Sequence, residues 1–286
     1  DSENPDLFWA LRGGGGGLGI VTGMEIQLFP VATVYGGNLI YPAEVATEAF
    51  QRFREWIATV PDELTSSIAL MNLPVLPIVP EPLRGQSVVF IRGCYCGPIE
   101  EGRALLQTWR DWRAPAFDLF HEMPFAQVGT ISNDPEDPLP GVSSGAWLRE
   151  LSDTAIDTLV RYGYVERGPN TLLSTEVRHA GGAIARVPPE TSAYSNRDET
   201  LSLQLIAITP TPESYERARH YIDELKHTLQ PVLSGTVYMN FLEGEESRRR
   251  AREGFAAETY QRLAQLKAKY DPENRLRSGF AIPPAS

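Results

Sequence analysis

The sequence predicts an α+β fold in which an antiparallel sheet is flanked by helices. Five segments have the apolar content and period of strands, and four longer segments place apolar residues at helical spacing. The two kinds of segment follow one another without a regular strand–helix–strand rhythm, and several strands are half polar. This pattern is typical of a sheet with helices on one face.

The central part of the chain carries most of these elements. The predicted strands cover residues 34–42, 66–74, 87–97, 174–187 and 201–210. The predicted helices cover residues 43–60, 98–112, 151–165 and 211–233. The proline-rich acidic stretch between them, residues 132–141, is predicted to be a loop.

The two ends of the chain are predicted separately. Asn4 and Pro5 indicate the start of a short helix, and alternating apolar residues over 20–28 indicate a strand that ends at Pro30. Near the other end, residues 254–270 have helical spacing, and Pro272 closes that helix.

Charge and cysteine content exclude several functions. The net charge of -11 argues against nucleic acid or an anionic membrane as a partner. Cys94 and Cys96 lie two apart on one predicted strand, where they are poorly placed to form a disulfide. No cysteine or histidine cluster accompanies them, so we expect no metal site. This cysteine usage fits a reducing compartment, and we expect a cytoplasmic protein.

Five consecutive glycines follow Arg12 and match the spacing G-x-G-x-x-G at Gly14, Gly16 and Gly19. In a dinucleotide-binding Rossmann unit, that motif follows a strand and opens a helix. Here the predicted helix comes first and the predicted strand follows, so the sequence argues against a Rossmann site. The glycines instead indicate either a flexible turn or a backbone pressed against a flat or anionic group.

With its flanks, the glycine run resembles a known family. DLFWALRGGGGGLGIVTGMEIQLFPV is similar to the end of the FAD-binding domain of berberine bridge enzyme-like flavoproteins, in the vanillyl-alcohol oxidase and cresol methylhydroxylase-type superfamily. Gly17 and Leu18 stand where Asn and Phe are common. SGAWLRELSDTAIDTLV and GGAIARVPPETSAYSNRDETLSLQLIAI resemble the group's substrate domain. Tyr238-x-Asn240-Phe241, followed by YQRLAQLKAKYDPENRLR, resembles its C-terminal signature.

The resemblance implies three parts. Residues 1–30 would be a C-terminal strip of the FAD-binding domain, which is therefore partial here. Residues 31–235 would form the substrate-binding α+β domain, and residues 236–286 would pack back on the FAD domain. In this group the pyrophosphate-binding loop and the histidine bonded to flavin come from the first half of the protein, which we expect to precede Asp1. Alone, this chain would then bind FAD weakly and be inactive.

The resemblance also implies cofactor contacts. The strand after the glycines would approach the adenine and ribityl parts of FAD through the backbone of Gly16, Gly17, Gly19, Ile20 and Val21. A purely structural turn is the alternative.

Tyr238 and Asn240 are the other candidate flavin contacts. They lie two apart on a predicted strand and would share a face, which in the group looks toward the isoalloxazine ring. Tyr238 is the candidate catalytic base, and Arg178 or Arg186 could stabilise its phenolate. Packing in the core is the alternative for both.

The bases of the plant enzymes do not carry over by this resemblance. Phe241 stands where a tyrosine base is common, Arg186 where an acidic base falls, and Asn196 where a histidine is familiar. Weaker candidates for acid–base work are Tyr41, Glu176 and His179, on strands that could line the sheet face.

Together, these features predict part of a FAD-dependent oxidoreductase. It would transfer a hydride from an alcohol, amine or sugar-like carbon to flavin N5, with O2 as acceptor. Its partners would be FAD, a small-molecule substrate and the missing half of the flavin domain, in a monomer or homodimer. The alternative is a non-catalytic small-molecule-binding or assembly module that kept the substrate-domain fold.

Overall fold

The computed structural model describes residues 2–77, 79–134, 137–164, 172–277, 280 and 282–285. Its centre is an eight-stranded sheet with the order β4-β1-β3-β2-β7-β8-β6, and β5 pairs with β1. The strands are β1 Thr33–Pro42, β2 Leu64–Asn72, β3 Ser87–Tyr95, β4 Phe117–Asp118, β5 His121–Pro124, β6 Gly141–Leu148, β7 Ser174–His179 and β8 Leu201–Ile208. The described strand pairs are antiparallel, which confirms the predicted sheet.

Helices cover one face of this sheet. The helices are α1 Pro5–Leu11, α2 Ala46–Ile57, α3 Ile99–Trp112, α4 Asp153–Gly163, α5 Ala183–Arg186, α6 Pro212–Thr228, α7 Gly244–Arg249 and α8 Ala257–Tyr270. Among the described residues, no helix has the length and apolar character needed to cross a membrane. Apolar residues of α2, α3, α4 and α6 bury against alternate residues of the strands, as the helical and strand periods predict.

The core under these helices fixes which sheet face stays open. Phe53 of α2 and Trp109 of α3 are fully buried beside Leu39, Ile68 and Val177 of the strands. Successive side chains of a strand point to opposite faces, so the neighbours of these strand residues point away from the helices. The functional site is built on that second face.

The structure differs from the sequence prediction along β7. The sequence predicts one strand over residues 174–187, but the strand ends at His179. Gly181 and Gly182 adopt positive φ angles of 106° and 49°, which break the extended conformation. The short helix α5 then takes the remaining residues. The strand β6 was not predicted, because Ser143, Ser144 and Gly145 interrupt its apolar alternation.

The predicted strand over residues 20–28 is wrong for this structure. Residues 19–29 carry no helix or strand. Met24, Ile26 and Leu28 are 78%, 66% and 80% exposed. A strand needs a neighbour for its backbone N–H and C=O groups, and no described strand pairs with this segment. We call residues 20–29 the apolar run.

A second core joins the two ends of the chain. Trp9 and Ala10 of α1 pack with Leu263 and Leu266 of α8. Arg262 lies over the Trp9 ring, 3.8 Å from its centroid. The C-terminal helix is thereby held against the segment that opens the chain. The domain boundaries at residues 30 and 235 stay predictions.

Candidate functional site

A row of side chains crosses the open face of the sheet. In register, Asn38 faces Arg92, Arg92 faces Ser67, Ser67 faces Arg178, Arg178 faces Ser202 and Ser202 faces Trp147. Five of these six side chains are polar, whereas their neighbours Leu39, Ile91, Ile68, Val177 and Leu203 face the helices. We call this set the polar row. Polar side chains concentrated on one sheet face are typical of a binding surface rather than of a packing face.

A cavity of about 490 Å³ lies over the polar row. Its floor includes Arg92, Ser67, Arg178 and Ser202, and its walls are largely apolar. The wall residues include Phe125, Val128, Ile131, Trp147, Ile184, Tyr194, Tyr238 and Phe241. This size and composition suit a small organic molecule. We call it the sheet cavity.

Glu176 is the buried carboxylate of this floor. Its residue is 4% exposed, and its Oε1 accepts a hydrogen bond of 2.6 Å from Ser67 Oγ. Arg178 Nη2 donates to Oε2 at 3.0 Å, and Arg92 Nη1 lies 3.5 Å from Oε1. A buried carboxylate is tolerated only when it is paired and hydrogen-bonded. These contacts satisfy that condition and hold both guanidinium groups in the floor.

Two more polar groups face the sheet cavity. The Ser202 hydroxyl is buried and has no hydrogen-bond partner within the described structure. Burial lowers the pKa of His179, against the weaker opposite effect of Asp62, so its imidazole is neutral at pH 7. The floor therefore contains a hydroxyl without a described partner beside two cations, and His179 borders the cavity from the end of β7.

Tyr238 stands in an aromatic cluster at one end of the cavity. Its ring meets Phe241 edge to face at 4.9 Å and Tyr194 at 6.1 Å, and Trp147 lies 6.1 Å away. Asn240 Nδ2 donates to the Tyr238 hydroxyl oxygen at 2.9 Å. Burial, with a smaller contribution from Tyr238, raises the pKa of Tyr194. The aromatic contacts fix the Tyr238 ring, and the Tyr238 hydroxyl oxygen accepts a hydrogen bond from Asn240.

The sequence prediction that Tyr238 and Asn240 share a strand face is wrong. Residues Met239–Phe241 form a single 3-10 turn. The turn brings the Asn240 amide back onto the phenol two residues earlier, which a strand would not do. The two residues do meet, by a different local geometry.

A smaller cleft of about 260 Å³ lies on the other side of Tyr238. It is lined by Gly13 and Gly15 of the glycine turn and by Tyr194, Tyr238 and Asn240. Glycine backbone beside aromatic rings suits a planar heterocycle such as a flavin ring. None of the described lining residues is basic, so the cleft offers a pyrophosphate only backbone and neutral polar groups. We call it the glycine cleft.

The glycine run is a fixed turn after α1. Gly13 and Gly15 have φ angles of 99° and 83°, which side chains other than glycine rarely adopt. A Cβ atom on Gly13 would lie 2.5 Å from the backbone nitrogen of Tyr194, and one on Gly14 would lie 2.3 Å from the Ala10 carbonyl oxygen. Glycine is therefore required at Gly13 and Gly14 by packing within the chain, as a purely structural turn would also require.

Lys267 ties this turn to α8. The lysine is 1% exposed, and its Nζ donates to the Gly17 carbonyl at 2.5 Å, to the Leu276 carbonyl at 2.7 Å and to Asp271 Oδ2 at 2.6 Å. Asp271 in turn accepts from the backbone N–H groups of Arg275 and Leu276. Three acceptors around one ammonium group make this the polar centre of the second core.

The other predicted cofactor contacts lie elsewhere. Gly16, Ile20 and Val21 are exposed, and Gly17 and Gly19 are half buried. None of the five lines the sheet cavity or the glycine cleft. Their contact with FAD stays a prediction. Gly13 and Gly15, which do line the cleft, were not singled out from the sequence.

The weaker acid–base candidates divide between the two faces. Glu176 and His179 line the sheet cavity. Tyr41 does not, because it points into the helix-covered core and donates to the Trp109 carbonyl at 3.0 Å. Burial is the main cause that raises its pKa to about 12. Arg186 pairs with Asp62 and does not line the sheet cavity, whereas the Arg178 guanidinium carbon lies 4.8 Å from the centre of the Phe241 ring.

Sequence reasoning did not single out Trp147, Tyr194 or Ser202. They lie within the segments that resemble the substrate domain, but no local pattern marks any of them as a site residue. The pairing register of β6 with β8 brings Trp147 beside Ser202. The alternation of side chains along each strand is the only sequence signal for these residues, and it identifies neighbours only when the pairing register is known.

Comparison with known sequences finds relatives whose descriptions agree with one another. A family profile described as "Berberine and berberine like" matches residues 237–283. An uncharacterised FAD-linked oxidoreductase of Bacillus subtilis, YgaK, is 30% identical over 287 residues, covering 99% of this chain and 60% of the relative. A FAD-linked oxidoreductase of Dictyostelium discoideum is 24% identical over 288 residues, covering 99% and 59%. The chain thus spans about 60% of the length of these relatives.

Solved structures share the fold. The BBE-like 1 protein of Physcomitrella patens superposes with a TM-score of 0.79 at 19% identity, over 100% of this chain and 62% of that one. A xylooligosaccharide oxidase from Myceliophthora thermophila, solved with xylobiose, gives 0.75 at 20% identity, over 100% and 63%. The berberine bridge enzyme of Eschscholzia californica gives 0.77 at 16% identity, over 98% and 61%.

Proposed function

Because the chain belongs to the berberine bridge enzyme-like family of FAD-linked oxidoreductases, we propose that the protein containing it oxidises a small organic molecule by hydride transfer to flavin. The substrate would be an alcohol, an amine or a sugar-like compound. O2 would accept the two electrons with two protons, giving hydrogen peroxide. The chain spans about 60% of its relatives' length, so the activity of the whole protein is part of this proposal.

The observation that carries the proposal is the position of Tyr238. Its side chain lines both the sheet cavity and the glycine cleft, as do Trp147 and Tyr194. A substrate in the first space and a flavin ring in the second would both border these side chains, and the substrate carbon and flavin N5 would have to touch each other beside the Tyr238 ring. Reaction between two bound molecules requires such contact.

The chain's own residues would bind the substrate and take its proton. The polar row and the apolar walls would hold the molecule with its reacting carbon toward Tyr238. Tyr238 would first lose its phenolic proton to solvent. As the phenolate, its Oη would accept the proton that leaves the substrate oxygen or nitrogen, and the Asn240 amide N–H would stabilise that oxygen through its hydrogen bond. A bound flavin would supply the hydride acceptor at N5. The product would be a carbonyl compound or an imine.

The remainder of the flavin site would come from residues outside this chain. The glycine cleft offers no basic side chain among its described residues for the pyrophosphate. The apolar run exposes large side chains, including Ile20 at 81% and Phe29 at 78%. Exposed apolar surface of this extent marks an interaction site. Both features support a further segment that grips FAD and covers the run.

A flavin-reduction assay tests the proposal. The full-length protein that contains this chain would be purified, its flavin spectrum recorded, and its flavin bleaching followed anaerobically with alcohols, amines and sugars. We expect bound FAD and bleaching by at least one class, followed by recovery and hydrogen peroxide when O2 is admitted. A protein that binds no FAD, or whose flavin no compound reduces, contradicts the proposal.

The same assay tests the competing binding module. Phe241 cannot exchange a proton, and Arg186 is paired with Asp62 and does not line the sheet cavity, which favours that alternative. A module of this kind would bind small molecules in the sheet cavity and leave the flavin oxidised. Flavin reduction by any substrate rejects it.

A further inference from the structure

We infer that the sheet cavity takes a substrate carrying a carboxylate, bound by Arg178 with Arg92 beside it. This inference rests on the proposed function, because it names the substrate class of the same site. The floor of the cavity carries two guanidinium groups and one carboxylate, Glu176. The other acidic lining residue, Asp134, is exposed to solvent on a loop, where water screens its charge. The buried floor is therefore positive.

Arg178 has N–H donors beyond those used in its described hydrogen bonds. Both of its described protein hydrogen bonds, to Glu176 Oε2 and to Gln204 Oε1, leave from the single nitrogen Nη2 at 3.0 Å. A guanidinium has five N–H donors in a planar fork that matches a carboxylate with two parallel bonds. The side chain is 44% exposed, and the residue lines the cavity. The Phe241 ring lies 4.8 Å from the guanidinium carbon and holds the plane in place.

Neutralising Glu176 does not by itself require both arginines. Glu176 already accepts from Ser67, and Arg92 is held separately by Asn38 Oδ1 at 3.1 Å. One guanidinium would balance one carboxylate. The second leaves a surplus cation on the cavity floor, where an anionic ligand would be attracted to it.

The Ser202 hydroxyl is an independent sign of a ligand. It faces Arg178 in register, is 4% exposed, and has no hydrogen-bond partner within the described structure. A buried hydroxyl without a partner costs free energy, so such groups normally have one. A carboxylate held by Arg178 would accept from Ser202 as well.

The register also sets the direction of the bound molecule. Arg178, Ser202 and Trp147 lie on three successive strands, β7, β8 and β6, which spans about 10 Å at the usual strand spacing. Trp147 packs against Tyr238. A substrate anchored at Arg178 would therefore place its far end at Tyr238. We expect a ring-sized spacer between the carboxylate and the oxidised carbon.

A matched pair of probes tests the inference. The acid is 4-(hydroxymethyl)benzoate, and 4-(hydroxymethyl)benzamide has the same shape without the charge; xylobiose serves as the neutral sugar. Binding to the full-length protein would be measured by calorimetry, which needs no turnover. We expect the acid to bind at least about tenfold more tightly than the amide or xylobiose, and to weaken as salt is raised.

Four variants separate the arginine from general damage to the fold. Arg178→Gln should remove the preference for the acid, and Arg178→Lys should restore part of it. Glu176→Gln should tighten binding of the acid severalfold, because it removes the competing carboxylate. Arg275→Gln is the control, since Arg275 is exposed and pairs with Glu273 far from the cavity. Thermal unfolding would be recorded for each variant.

The outcomes are distinct. Equal affinity for acid and amide, tighter binding of xylobiose, or weaker acid binding by Glu176→Gln in a folded protein overturns the inference. Arginine-dependent acid binding without flavin reduction leaves it standing and contradicts the proposed oxidation instead. If only neutral compounds reduce the flavin, the proposed oxidation stands and the inference of a carboxylate substrate is overturned.

Discussion

Lys267 of α8 donates a hydrogen bond to the carbonyl of Gly17, 250 residues away in the chain. The ammonium group is buried and also contacts Asp271 and the Leu276 carbonyl. This contact joins the glycine turn to the C-terminal helix. It therefore places one wall of the glycine cleft relative to the segment that carries Tyr238.

Replacing Lys267 by Met should destabilise the protein strongly. The change leaves the Asp271 carboxylate and two carbonyls without their donor, and breaking a buried ion pair costs about 3 to 5 kcal/mol. Urea unfolding followed by circular dichroism measures this free energy. Lys269→Met on the same helix is the control, because Lys269 is exposed. An equal loss of stability in both variants would show that the buried contacts of Lys267 contribute no more than the exposed Lys269 does.

The stability should fall in acid, in part through Asp271. Its hydrogen bond from Lys267, followed by those from the backbone of Leu276 and Arg275, lowers the pKa of this carboxyl to about 2. A carboxyl with a lowered pKa in the folded state adds stability above its unfolded pKa, about 3.9, and loses it as pH falls toward 2. The free energy of unfolding should therefore drop between pH 5 and pH 2.

Asp271→Asn isolates this contribution. The variant should be less stable than wild type at pH 6, and the difference should shrink as pH falls. Urea titrations of both proteins at pH 6, 5, 4 and 3 provide the comparison. A difference that stays constant with pH would contradict the assignment.

Replacing Tyr238 by Phe should slow flavin reduction in the full-length protein. The ring and its contacts with Phe241 and Tyr194 remain, but the proton acceptor is lost. Loss of a general base costs about 10² to 10⁴ in rate. Stopped-flow bleaching should show a lower maximal rate of flavin reduction, and little change in substrate binding.

Tyr215→Phe on α6 is the matched control for this experiment. Tyr215 lies outside the sheet cavity and the glycine cleft, so its variant should reduce flavin at the wild-type rate. Wild-type kinetics in Tyr238→Phe would remove the phenol from the mechanism.

The apolar run should make the isolated chain self-associate. Six of its large apolar side chains are more than half exposed: Ile20, Val21, Met24, Ile26, Leu28 and Phe29. Replacing both Ile26 and Leu28 by Lys should raise the monomer fraction measured by size-exclusion chromatography with light scattering. Val75→Lys, at a separate exposed position, should have little effect. Monomer at all concentrations in the unmodified chain would contradict this prediction.

Several parts of the structure could be predicted from the sequence. The helices α2, α3, α4, α6 and α8 have a one-sided apolar stripe, which buries wherever an apolar surface is available. The order of helix, glycines and extended segment argues by itself against a Rossmann turn, because that turn requires a strand ahead of the glycines. These are local properties, set by side-chain period and by backbone freedom.

Prediction from the sequence fails where the conformation depends on strand pairing or on a local turn. The residues over 20–28 have the period of a strand, but a strand forms only with a neighbour, and no described strand of this chain supplies one. The spacing of Tyr238 and Asn240 predicts a shared strand face, whereas a 3-10 turn at Met239–Phe241 joins them. In both cases local pattern was compatible with more than one conformation.

The sequence pattern alone predicts the fold class and the helices α2, α3, α4, α6 and α8. Tertiary contacts decide the need for glycine at Gly13, whose Cβ would meet the backbone of Tyr194, and they decide the functional face. Arg178, Ser202 and Trp147 become neighbours through strand register, and the surplus cation over Glu176 follows from contacts between three strands. Register is fixed by the burial of the opposite, helix-covered face. The chemistry of the open face is thus a consequence of long-range packing, which no single segment encodes.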